Sequence, residues 1–178
     1  MDTLTGGVPQ MKTGHAYVLL AVLGSFLVSP AHAERQIAVN FTTATLTITD
    51  SQMETLLETP IVLPRADFYR LPATGMVKHA EMYPSWTPTP EMHRAKPGKY
   101  KAHYRPRENG NAMGHCKVTI HFDGDVSVLQ YVRIHGNAKE TDLGQRRSAG
   151  CIRIPDDVCP MLVAISTRES PVRVIFER

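Results

Sequence analysis

Ile134-His135-Gly136 and, twelve residues on, Ser148-Ala149-Gly150-Cys151-Ile152-Arg153 form the stretch of this 178-residue chain that says most about it. It sets an imidazole and a thiol sixteen positions apart, each near a glycine, with an arginine two residues past the sulfur. A cysteine becomes a useful nucleophile when a neighbouring base or positive charge favours its thiolate. Histidine suits that task near neutral pH. Glycine beside a reactive group admits close approach of backbone and substrate, and offers N–H groups to a developing oxyanion. A bare Cys–His pair at this separation is more often two unrelated core or surface residues. The residues around this pair set it apart.

The segment resembles the signature of the YkuD-type L,D-transpeptidases, in which a histidine followed by glycine precedes, at about this distance, a block of the form Ser/Thr-x-Gly-Cys-Ile/Val-Arg. Two further stretches are similar to periplasmic ErfK/YbiS-type members: Pro84-Ser85-Trp86-Thr87-Pro88-Thr89-Pro90-Glu91-Met92, and Asn111-Ala112-Met113-Gly114, which matches their Asn-Pro-Leu/Met-Gly except at Ala112. The resemblance covers essentially all of the chain after residue 33. It implies a β-sandwich-like catalytic domain with Cys151 as nucleophile, His135 as general base, the Gly136 carbonyl orienting the imidazole, and N–H groups near Gly150 and Cys151 steadying the oxyanion.

The implied substrate is a peptidoglycan tetrapeptide stem. Its terminal D-alanine leaves as Cys151 forms a thioester with the diamino acid at position three, and an amine on a second stem resolves this to a 3-3 crosslink. Water as acceptor makes the same residues an L,D-carboxypeptidase. This mechanism requires no metal or organic cofactor. Arg153 reads either as a fork for a substrate carboxylate or as a brace for the loop behind Cys151. Ser148 reads as a turn-shaping hydrogen bonder that is also placed to touch substrate. Ala149 is the main departure, since many relatives carry a second histidine there. Its loss leaves His135 alone to serve the thiol.

Residues Ala16 to Val28 form a largely apolar run, with Lys12 and His15 before it and Ala31-His32-Ala33 after it. Positive flank, short apolar core and Ala-x-Ala describe a secretory signal peptide cleaved after Ala33. A stable membrane anchor needs roughly twenty apolar residues. Residues 1–33 are thus expected to be a signal peptide, with Met11 as a candidate start, and residues 34–178 the catalytic domain, exported to the periplasm or cell envelope. Cleavage removes one acid, Asp2, and one base, Lys12, so the net charge stays +3. That charge fits an acidic polymer and neutral partners alike. An oxidising compartment favours pairing of cysteines, and the odd count of three leaves one over. With Cys151 as the free thiol, Cys116 and Cys159 are the two available for a bridge, which spacing alone does not establish.

The rest of the chain reads as mainly β. Gln36 to Phe41 and Thr45 to Thr49 are β-branched runs, Asp50-Ser51-Gln52 is a turn, and Leu56 to Pro64 reads as one strand with an edge at Pro60, a helix over Ser51 to Glu58 being the rival. Pro72 to Arg107 reads as a long surface excursion, whose six basic residues from Arg94 on are either solvated or line a groove for an anionic peptide or glycan. Cys116 to Phe122 and Val126 to Ile134 flank Asp123-Gly124-Asp125 as a hairpin that delivers His135 at its end. Pro155-Asp156-Asp157 is expected to open a helix whose stripe of Val158, Met161, Leu162 and Ile165 faces the core. Val172 to Phe176 is the last strand. One or two short helices, many strands and no βαβ alternation give a mainly β fold.

Three other readings weigh less. His103, His115, Cys116 and His121 lack tetrahedral zinc spacing, because on one strand His115 and His121 stand about 20 Å apart. A nucleic-acid-binding role rests only on the Arg94 to Arg107 charges, and export removes such partners from reach. A catalytically silent wall-binding protein would have no use for a thiol beside a base. Nothing in the sequence sets an oligomeric state.

Overall fold

The computed structural model describes residues 35–65, 70–124, 131–168 and 171–178. The expected signal peptide and residues 125–130 of the expected hairpin lie outside these. Among these residues ten strands and two α-helices follow in the order β1 (Arg35–Asn40), β2 (Thr45–Thr49), β3 (Thr55–Pro60), β4 (Leu63–Pro64), β5 (Ala73–Met82), α1 (Pro90–Ala95), β6 (Cys116–Phe122), β7 (Arg133–His135), β8 (Arg146–Ser148), β9 (Ile152–Arg153), α2 (Cys159–Ser166) and β10 (Val172–Glu177). The mainly β expectation holds. Among the described residues no helix is long and apolar enough to cross a membrane.

Eight strands form one mixed sheet in the order β3-β2-β1-β10-β5-β6-β7-β9. Alternation along β1 and β2 turns Ile37, Val39, Leu46 and Ile48 inward, where each is fully buried. Phe176 on β10 completes this end of the core, with its ring centroid 5.5 Å from that of Phe41 and 5.1 Å from that of Phe122. The segment directly after β3, at one edge of the sheet, reaches β9 at the other edge. Val62 and Arg153 exchange backbone hydrogen bonds of 2.9 and 3.0 Å. The sheet therefore curls until its two ends meet beside the strand that follows Cys151. β4 and β8 pair in parallel as a small second sheet on the same side.

Three expectations need correction. The excursion begins at Tyr83 rather than Pro72, because β5 lies inside the sheet between β10 and β6. It escaped the sequence pattern because a bulge between Val77 and His79 breaks the period of two, and only Gly75 and Ala80 are buried along it. Gly75 is there for proximity, since a Cβ would sit 2.5 Å from the His121 carbonyl oxygen across the strand pair. Leu56 to Pro64 is two strands, an exposed edge strand β3 and a buried β4. The helix expected from Pro155 starts at Cys159, with Leu162 and Ile165 inside and Met161 42% exposed. Val158, just ahead of it, is buried as expected.

Cys116 and Cys159 are joined by a disulfide, Cα to Cα 5.5 Å, which ties the start of α2 to the start of β6. Closing a loop of 43 residues restricts the unfolded chain more than the native one. Replacing both cysteines by serine is expected to lower the unfolding free energy by about 3 kcal/mol in a urea titration. A loss below about 1 kcal/mol would show that the bridge carries little of the fold's stability.

Candidate active site

The site is built on three neighbouring strands. β7 pairs antiparallel with β6, setting Lys117 against His135, and parallel with β9, setting Ile134 against Ile152 and His135 against Arg153. Extending that parallel register by one residue brings Cys151 alongside Arg133. Side chains two apart on a strand share a face, so His135 and Arg133 face the same way as Cys151 and Arg153. One strand across and two residues along puts the α-carbons of His135 and Cys151 about 8 Å apart. Both side chains line a single cavity of about 670 Å³, with Ser148, Gly150 and Arg153. Of the six residues singled out from sequence, only Gly136 is not on its wall; it is buried directly behind the histidine.

His135 is 3% exposed, and its Nδ1 lies 2.8 Å from the Gly136 carbonyl oxygen. That contact makes Nδ1 the protonated nitrogen of a neutral ring and leaves the Nε2 lone pair for another proton. Burial, and secondarily the charge of Arg153, push the imidazole down to about 4 against the pull of the Gly136 and Met113 carbonyls. The ring is therefore a neutral base at pH 7. Cys151 is the one cysteine of the three outside the disulfide, and it is half-buried. Burial pushes its thiol up, opposed by the backbone N–H and charge of Arg133 and by Arg153. The resting pair is a neutral thiol and a neutral imidazole.

The turn that presents the sulfur is closed by Ser148, which is 1% exposed. Its hydroxyl donates to the Cys151 carbonyl and accepts a long bond of 3.3 Å from the Gly150 N–H. The Ser148 carbonyl in turn accepts from the Arg65 N–H at 3.1 Å. Ser148 is thus first of all a shaper of this turn. The backbone of Arg153 is held by Val62, while its side chain borders the cavity.

Asp156 is a site residue that the sequence reading missed. It reads there as an acid in the first turn of a helix, yet it lies ahead of α2 and its Oδ1 accepts the N–H groups of His115 and Asn137, both at 2.9 Å. These two amides flank the His135-Gly136 corner on either side. The carboxylate also explains two glycines: a Cβ on Gly136 would fall 2.1 Å, and one on Gly114 2.4 Å, from Oδ1. Gly136 is further pinned by its N–H to the Cys116 carbonyl at 3.1 Å, and the Cys159 sulfur would lie 3.2 Å from a Cβ there. The disulfide and Asp156 together hold the corner that aims the imidazole. The only sequence trace of this is the pair of glycines, whose shared cause exists only in three dimensions.

The excursion from Tyr83 onward roofs the cavity with Trp86, Met92 and Met113. Trp86 packs on Tyr100 and Tyr104 and forms a backbone bridge with Tyr104, while the Asn111 side chain donates to the carbonyls of Pro84 and Arg105. The basic residues of this segment do not reach the cavity wall. Arg94 pairs with Glu91, Lys101 with Glu108, and Arg107 lies 3.7 Å over the Tyr83 ring. The cavity's cations are instead Lys117, Arg133 and Arg153. Among the described residues no three His, Cys, Asp or Glu side chains gather as a metal site; His103 contacts the Thr87 hydroxyl and His115 faces Asp156.

No protein-family model and no curated protein matches the chain. Solved structures do. An L,D-transpeptidase from Mycobacterium smegmatis superposes with a TM-score of 0.57 at 16% identity, over 82% of this chain and 59% of that one. The catalytic domain of the Enterococcus faecium L,D-transpeptidase acylated by ertapenem gives 0.54 at 18% identity, over 80% of this chain and 96% of that domain. L,D-transpeptidase 3 from Mycobacterium tuberculosis with a faropenem-derived adduct gives 0.54 at 12% identity, over 81% and 60%. This chain thus spans about three fifths of the two mycobacterial proteins but matches nearly all of the isolated E. faecium domain. The strands that carry His135 and Cys151 therefore belong to a protein with the fold of the L,D-transpeptidase catalytic domain.

Proposed function

We propose that this protein is a cysteine-dependent L,D-transpeptidase acting on peptidoglycan tetrapeptide stems, exported through a signal peptide in residues 1–33. The observation that carries the reading is that the unbridged thiol, Cys151, shares one cavity with a buried neutral imidazole on the adjoining strand of this fold. Neutral imidazole and neutral thiol call for proton transfer in step with attack. As the Cys151 sulfur bonds to the carbonyl carbon of the third residue, its proton passes to Nε2 of His135. The Cys151 N–H, joined by that of Gly150 once it gives up its long bond to Ser148, receives the oxyanion, each donor contributing typically about 3 kcal/mol.

The C–N bond then breaks as His135 returns the proton to the departing D-alanine amine, leaving a thioester on Cys151. An acceptor amine attacks the thioester and gives its proton to His135; the C–S bond breaks and the thiol is restored. Water in place of the amine yields an L,D-carboxypeptidase from the same residues.

The purified protein is expected to gain the mass of one carbapenem at Cys151, and Cys151→Ser to gain none. Persistent labelling in the variant would remove Cys151 from the nucleophile's place. With tetrapeptide-stem muropeptides, crosslinked dimers are the expected product. Tripeptides alone would move the assignment to a carboxypeptidase, and no product at all to a silent wall-binding protein.

Alkylation of Cys151 by iodoacetamide is expected to keep accelerating with pH past about 8.5, the ordinary thiol range. A plateau below pH 7 would mean a preformed thiolate–imidazolium pair. Acid should also cost stability through His135. Its folded pKa, about 4, lies below the model value of 6.5, so between those values the unfolded chain binds the extra proton. Stability is full above 6.5 and falls by about 3 kcal/mol as pH drops toward 4. Urea midpoints at pH 7 and 4.5 should show this loss in the native protein and much less of it in His135→Gln.

A further inference from the structure

The hydrogen bonds behind His135 do not end at a glycine carbonyl. Nδ1 donates to the Gly136 carbonyl at 2.8 Å, and the N–H on the other side of that same peptide bond, that of Asn137, donates to Oδ1 of Asp156 at 2.9 Å. Carbonyl and N–H of one peptide are conjugated, so an anion on the N–H pushes electron density toward the carbonyl oxygen and makes it a better acceptor. Asp156 thus reaches the ring through one planar unit. The arrangement is closely fixed. Asn137 is held with φ at 66°, a conformation that a residue with a side chain keeps only where its surroundings enforce it. Oδ1 also takes the His115 N–H at 2.9 Å, and it fits between two glycines, 114 and 136, whose added Cβ atoms would each strike it. Of the charges acting on the ring, Arg153 opposes a second proton and Asp156 favours it.

We propose that Asp156 is a positioning residue that stabilises the His135 imidazolium through the Gly136–Asn137 peptide as Cys151 attacks. This rests on the base and nucleophile roles proposed above and supplies the counter-charge for them. In the resting pair the ring is neutral and the carboxylate only fixes the corner. When the thiol proton arrives on Nε2, the positive charge is shared with the Nδ1–H, whose bond to Gly136 then strengthens against a carbonyl that the carboxylate has already polarised. The effect belongs to the step in which the ring is charged, so it lowers the barrier to attack without tightening the binding of the ligand. A neutral acceptor at position 156 would keep the corner and lose this effect.

Stopped-flow acylation of Cys151 by a carbapenem separates the affinity of the first complex from the rate constant of the chemical step. Asp156→Asn keeps an oxygen for both amides, so its urea midpoint and the carbapenem affinity should stay near native while the chemical step at pH 7 slows on the order of tenfold, the difference between a charged and a neutral acceptor. Alkylation by iodoacetamide at about pH 10, where the thiol ionises without a base, should be the same in both proteins. Asp156→Ala loses charge and acceptor together. Formate, which returns the charge, should speed its acylation more than formamide, a neutral molecule of the same shape. Four results would each overturn the proposal: native-like acylation in Asp156→Asn, a loss confined to affinity, equal slowing of acylation and of high-pH alkylation, or equal effects of formate and formamide. Were the native protein to resist acylation while Cys151 still alkylates normally, the transpeptidase reading itself would fall.

Discussion

The parallel pairing of β7 with β9 is the constraint from which the site follows. It sets Ile134 against Ile152 and His135 against Arg153, and so places Cys151 on the same wall as the histidine. A slip of one residue would turn either side chain to the opposite face and separate imidazole from thiol. The fold guards this register from several directions. Val62 stitches β9 from its free side, Ser148 closes the turn before it, and the Cys116–Cys159 bridge with the Asp156 carboxylate fixes the corner after His135. None of these devices touches the imidazole ring or the sulfur itself. Each acts by narrowing where the imidazole and the sulfur can stand.

Burial sets the chemistry that this geometry supports. The histidine and the cysteine both lose water, and each is pushed toward its neutral form. Arg133 and Arg153 favour the thiolate and Arg153 disfavours the imidazolium, so Arg153 does not stabilise an ion pair as such. What they stabilise is negative charge in the cavity, on sulfur, on oxyanion or on a ligand. The absence of a second histidine at Ala149 fits a site in which a single neutral imidazole manages every proton.

The motif from Ile134 to Arg153 was legible in sequence because its meaning is local, an imidazole and a thiol each near a glycine. β1, β2, β6 and β10 were legible for the same reason, through period-two patterns of buried β-branched residues. β5 was not, because its bulge breaks the pattern and its side chains are only partly covered. Asp156 was read as a helix acid because its partners, His115 and Asn137, lie 41 and 19 residues away. The basic run from Arg94 could be read as a solvated loop or as a ligand groove; intrasegment pairs absorb two of its charges and the cavity takes its cations from the strands. Sequence shows which residues have reactive chemistry; it does not show which distant backbone groups a carboxylate will hold.

The claim beneath all of this is that His135 waits as a neutral base with its proton on Nδ1. Nitrogen NMR of the histidine-labelled protein at pH 7 reads that state directly. A neutral ring protonated at Nδ1, with Nε2 bare, is the predicted spectrum. A doubly protonated ring, or a proton on Nε2 with Nδ1 bare, would contradict the account.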